Sequence, residues 1–159
     1  MRSICEVSPM ADEKRILSKI SELDGYLREL EEVRPSGFRE YESSVEKRRS
    51  CERLLQISIE CVVDVCSLLV KGLSAGLPSD EDDLFVKLGG KRVFSKSLVG
   101  KLRQMKSFRN ILVHRYGTVD DRLVFKFIEE DSSDLREFIS QTLKALKNLK
   151  KIGGRGRRR

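Results

Sequence analysis

Residues 51–70 read CERLLQISIECVVDVCSLLV. Leu54, Leu55, Ile57, Cys61, Val62, Val65, Leu68 and Leu69 recur at helical intervals, yet together they cover nearly every side of the cylinder. A helix that is apolar on almost all faces persists only when other helices surround it. This stretch is therefore predicted to be the most buried element of a helical domain. Its helix is expected to begin near Arg39, to pass through a more charged half carrying Tyr41 and Val45, and to end near Leu73.

The flanking sequence supplies the partners. Upstream, within Ala11 to Arg34, Ile16, Ile20, Leu23, Leu27 and Leu30 alternate at spacings of four and three and define one stripe, with Lys, Glu and Arg opposite. Pro35-Ser36-Gly37 stops that helix and turns the chain. Downstream of Gly72, Gly76 and Pro78, Ser79 and the acids Asp80 to Asp83 open a short helix with Leu84, Phe85 and Leu88, which Gly89-Gly90 ends. Lys91 to Phe94 is the one weak strand candidate, with an irregular turn as the other reading of KRVFSK. Ser95 is expected to cap a helix carrying Leu98, Leu102, Met105, Phe108, Ile111 and Leu112 as far as Tyr116, with Gly117 closing it. Thr118 with Asp120 and Asp121 restarts a helix, and Ser133 is expected to cap the last one. The pattern predicts an all-α antiparallel helical bundle with four main helices and one or two short ones. Residues 1–10 form an N-terminal extension, 11–150 the domain and 151–159 a flexible basic tail.

Composition narrows the class. The 159 residues are 39% apolar and 36% charged with three prolines, which excludes disordered, collagen-like and disulfide-framework chains. Cys5, Cys51, Cys61 and Cys66 lack metal or redox spacing, and three of them share one helix, so reduced thiols in apolar space and a cytoplasmic setting are expected. No run approaches the apolar length of a membrane span, and neither a membrane nor a metal partner is expected. The net charge of +7 resides in Lys144 to Arg159, which holds eight basic residues and no acid. The remaining domain is nearly neutral, so affinity for a polyanion has to come from local groups, helped by the tail.

The chain has one histidine, His114, within FRNILVHRY at 108–116. At about 100° per residue Arg109, Asn110 and His114 share the face turned away from Met105, Phe108, Ile111 and Leu112, which are expected to face the core. Tyr116 returns to the direction of Arg109. Two readings follow from the residues alone. In one, Arg109 and Arg115 are solvated, Asn110 is a surface amide and the imidazole caps the helix C-terminus. In the other, the cluster cleaves RNA: a 2′-hydroxyl attacks the adjacent phosphate while His114 moves a proton and Arg109 holds the phosphate charge, with no metal or other cofactor required.

Arg109-Asn110-Ile111-Leu112-Val113-His114-Arg115-Tyr116 resembles the R-x-x-x-x-H-x-Y signature of HEPN-domain ribonucleases in the HepT branch, toxin partners of minimal nucleotidyltransferases of the MntA type. CERLLQISIECVVDVCSLLV and EEDSSDLREFISQTLKAL resemble the family's second and closing helices, so the likeness covers about 11–150. The resemblance implies a helical homodimer whose two motifs meet to cut RNA, tRNA being the expected substrate. Arg109 and His114 would be catalytic, Asn110 a supporting polar residue, and Arg109 and Arg115 RNA-binding. Tyr116 would be the hydroxyl that the cognate antitoxin nucleotidyltransferase modifies with AMP. Arg53 and Asp64 occupy positions where the family carries charge, and a salt bridge or solvated face suffices for both. Two other functions stay open: a non-catalytic helical module presenting RNA or substrate to a partner nucleotidyltransferase, and a structural dimer whose tail binds nucleic acid.

Overall fold

The structure, a computed structural model, describes residues 9–113 and 119–155. Its helices are α1 (Pro9–Val33), α2 (Phe38–Ser43), α3 (Val45–Gly72), α4 (Glu81–Gly90), α5 (Lys96–Val113), α6 (Asp121–Lys126) and α7 (Ser132–Arg155). A π-helical turn over Phe127–Asp131 joins α6 to α7. No strand occurs among the described residues, and the fold is the antiparallel helical bundle expected.

Helix α3 forms the centre. Cys51, Leu55, Ile59, Val62, Val65, Cys66 and Leu69 are all at most 1–2% exposed. The α1 stripe of Ile16, Ile20, Leu23, Leu27 and Leu30 packs against it, and the Cys61 thiol donates to the Lys19 carbonyl at 3.1 Å. Helix α7 runs antiparallel to α1, since Arg136 meets Asp24 at 3.1 Å while Lys150 meets Glu13 at 2.8 Å.

Four local expectations are corrected. The helix expected from Arg39 to Leu73 breaks at Ser44, whose extended backbone (φ −110°, ψ 106°) lets its Oγ accept the Lys47 N–H at the start of α3. Asp80, rather than Ser79, caps α4, and Gly89 and Gly90 stay within its last turn. Lys91 to Phe94 is no strand: Arg92 takes a left-handed φ of 58° and its N–H donates to the Gly89 carbonyl, a helix-ending turn. Ser133 does not cap a new helix, because the chain continues from α6 through the π-helical turn and the Ser132 hydroxyl donates back to the Ile128 carbonyl at 2.7 Å. Helix α7 also continues past Lys151 to Arg155.

Candidate active site

Ser95 begins α5 as expected, its Oγ accepting the Leu98 N–H at 3.2 Å while its own N–H donates to Gln141 of α7 at 2.9 Å. Leu98, Leu102, Met105, Phe108 and Leu112 then bury one side of the helix. Phe108 stacks flat on Phe127 of the π-helical turn, with centroids 4.5 Å apart and planes within 4°. That contact anchors the helix one residue before Arg109.

Arg109 does not project outward. It lies on the flank of the buried side, with its side chain 15% exposed, and its Nη2 donates to the Glu81 carboxylate in the first turn of α4. Its Nε is buried without a hydrogen-bond partner among the described residues. Asn110 is half-buried. Ile111, expected in the core, is 48% exposed, and Val113 is 44% exposed. The wheel explains both corrections: the five buried positions centre about 40° from Arg109 and about 120° from Ile111, so the arginine is drawn in and the isoleucine left out. His114, Arg115 and Tyr116 lie outside the described residues.

The sequence reading missed Glu81. Its helix start is fixed by a reciprocal pair, Asp83 N–H to Asp80 at 2.8 Å and Ser79 N–H to the Asp83 carboxylate at 3.0 Å. Glu81 and Asp82 are thereby presented to α5, where Asp82 accepts Lys106 at 2.8 Å and lies 3.6 Å from Arg103. The hydrogen bond from Lys106 holds the Asp82 carboxyl below its ordinary range. Arg103, Lys106 and Arg109 recur at three-residue steps opposite this acidic turn. That match of spacing to the DEDD run is the signal that could have found the pair.

Beneath Phe108, a cleft of about 150 Å³ is lined by Lys101, Gln104, Met105, Lys126, Phe127 and Asp131. Burial first, and then the neighbouring Asp134 and Glu130, push the Asp131 carboxyl up. In α3, Asp64 pairs with Lys19 at 3.3 Å, and Arg53 is exposed with no ion pair among the described residues. Cys51, Cys61 and Cys66 are free buried thiols. Among the described residues no group of three His, Cys, Asp or Glu side chains converges to hold a metal, and no helix is long and apolar enough to cross a membrane.

What the described part of the site offers is a cation at the end of a well-packed helix, turned by a carboxylate and retaining unused donors. Such a group can donate to phosphate oxygens in bidentate fashion.

Comparison with known proteins places these features in a family. Residues 23–142 match the model of the family described as ribonuclease HepT-like. A tRNA nuclease HepT from Aphanizomenon flos-aquae is 28% identical over 113 residues, 71% of this chain and 77% of that protein. A putative RNase from Archaeoglobus fulgidus is 32% identical over 97 residues, 60% of this chain and 71% of that protein. In fold, the chain superimposes with a TM-score of 0.75 on the tri-AMPylated Shewanella oneidensis HEPN toxin in complex with MNT antitoxin, at 23% identity, covering 82% of this chain and 96% of the other.

Proposed function

The chain belongs to the ribonuclease HepT-like family, and from that premise we propose that it is a metal-independent endoribonuclease, the toxin of a toxin–antitoxin pair. The observation that carries the reading is the placement of R-x-x-x-x-H-x-Y, Arg109 to Tyr116, inside the residues that match the family, with Arg109 mostly buried and already turned by a carboxylate.

The chemistry is transesterification. A 2′-hydroxyl attacks the neighbouring phosphorus, a base takes its proton, and an acid protonates the 5′-oxygen as the P–O bond breaks. Arg109 binds the phosphate and stabilises the charge that grows on its oxygens. His114, with an ordinary value near 6.5, serves as base or acid near neutrality. One imidazole cannot fill both roles in a single step, so two copies of the chain would pair to bring two motifs together. The apolar exposure of Ile111 on the outward side of α5 supports a contact between copies along that side. Asn110 supports the site and Arg115 adds a phosphate contact.

Regulation would act at Tyr116. A cognate minimal nucleotidyltransferase would transfer AMP from ATP to the phenolic oxygen, with pyrophosphate leaving. The added phosphate charge would sit beside the substrate phosphate and oppose its binding. RNA is the substrate, tRNA being the one named for the Aphanizomenon relative.

Incubation with total RNA in EDTA tests the reading. The wild type is expected to cleave, and Arg109→Ala and His114→Ala each to lose about a hundredfold or more. Intact RNA with the wild type, or equal cleavage by the variants, overturns it. For Tyr116, mass spectrometry after incubation with the nucleotidyltransferase and ATP should show added AMP that is absent in Tyr116→Phe.

A further inference from the structure

The C-terminal half of α7 carries a row of cations that neither the fold nor the proposed active site uses. Leu135, Phe138, Thr142 and Leu146 are the buried positions of this helix among the described residues. At about 100° per residue they centre opposite Lys144, Lys147 and Lys151, which fall within about 60° of one another. All three lysines are exposed, and none makes an ion pair among the described residues; the neighbouring Lys150, on another side, is taken up by Glu13. The sequence continues with Arg155, Arg157, Arg158 and Arg159.

Two further observations mark this row as more than a wet helix face. The residues matching the family model stop at 142, so the row lies just beyond them. Eight of the 32 basic residues fall in 144–159 and all 25 acids precede them, which leaves residues 1–143 at a net −1. A domain of that charge exerts little long-range attraction on a polyanion, whereas a concentrated row of free cations does.

The position of the row sets its reach. Ser95 lies against Gln141, and Lys101 pairs with Asp134 at 2.8 Å, so α5 and α7 run antiparallel. Arg109 is therefore at one end of the bundle and the lysine row beyond the other. Adding the helical rise from Ser95 to Arg109 and from Gln141 to Lys144 or Lys151 separates them by about 25 to 36 Å along the axis. On a stacked strand, at about 3.4 Å per residue, that is about eight to eleven nucleotides.

We propose that Lys144, Lys147 and Lys151 form an RNA-backbone docking surface that holds the substrate strand away from the cleavage site and so strengthens the binding of long RNAs while contributing nothing to that of short ones. The identity of the polyanion as substrate rests on the function proposed above; the docking surface itself does not.

The test is fluorescence anisotropy with an RNA of about 20 nucleotides and one of about four, against salt concentration, for the wild type and the Lys144→Gln/Lys147→Gln/Lys151→Gln variant. For the long RNA the variant should bind about tenfold more weakly at low salt, and the slope of log K against log salt should shrink by about 2, three contacts at about 0.7 each. The short RNA should bind and be cut equally by both proteins. The triple Lys→Arg variant, which keeps the charge, should restore the wild-type slope and controls for damage to the helix. An unchanged slope, equal losses on both lengths, or failure of the arginine variant to restore binding overturns the proposal. So does loss of binding to phosphatidylglycerol vesicles with RNA binding intact, which would assign the row to a membrane surface. A protein that shows the slope change but cuts no RNA refutes the nuclease reading alone, and one that cuts RNA with no slope change refutes the docking surface alone.

Discussion

Glu81 is the side chain on which the state of Arg109 depends. An arginine with 15% of its side chain exposed would otherwise sample several directions, and its pairing with the α4 carboxylate selects one. Positional precision of this kind acts on turnover more than on affinity. Glu81→Gln is expected to lower kcat about tenfold without raising KM, because the same change removes a carboxylate that competes with the substrate phosphate. Stability should fall by no more than about 1 kcal/mol, since Glu81 is 37% exposed and solvent screens the pair. A double-mutant cycle checks the coupling: once Arg109 is alanine, Glu81→Gln should cost nothing further in cleavage rate. Additive losses would show that the carboxylate acts elsewhere. Sequence alone exposed Arg109 and not its partner, because an acid in the first turn of a helix reads the same whether it serves the helix dipole or a cation 28 residues away.

Helix α3 was the most legible element and carries a pH signature of its own. Its burial followed from apolar residues on every face, and the same burial raises its thiols: Cys51 and Cys61 are pushed up to about 11 from 9.0, and Cys66 further still. Between about pH 9 and 11 the unfolded chain has lost these protons while the folded chain keeps them, so stability must fall as pH rises through that window. Urea midpoints compared across it should decline, and Cys51→Ala/Cys61→Ala should flatten the decline. A slope identical in the two proteins would show that other groups titrate there. Iodoacetamide near neutrality should leave all three thiols unmodified until the chain unfolds. The ends of elements were read less well than their middles. Ser44 sits in a continuous helical pattern, and only its extended backbone and its bond from the Lys47 N–H reveal the break, whereas Ser133 looks like a cap and is carried through by the π-helical turn. Serine hydroxyls satisfy backbone groups in both settings, so composition cannot separate them; the tertiary contacts of α6 decide. Replacing Ser44 with alanine should cost about 1 kcal/mol of stability in urea denaturation.

For the whole molecule, the bundle class was written in the spacing of its apolar residues, but the outward side of α5 was not. Ile111 fits a core stripe by type and is left 48% exposed because the buried side of α5 is centred nearer Arg109. A single chain gains nothing from that exposure, whereas two copies meeting along the outward side of α5 would bury Ile111 and bring their motifs together. Assembly and folding are separable at this position. Because Ile111 is already half in water, Ile111→Asp should change the unfolding free energy of the single chain by no more than about 0.5 kcal/mol. The same charge placed between two copies would be desolvated without a partner and should drive them apart. Sedimentation is therefore expected to give a dimer for the wild type and a monomer for Ile111→Asp, and RNA cleavage in EDTA should fall with the dimer at unchanged helicity. Cleavage that persists in a monomeric variant would mean that one motif suffices, and the lone histidine would then have to act with a second proton carrier from its own chain.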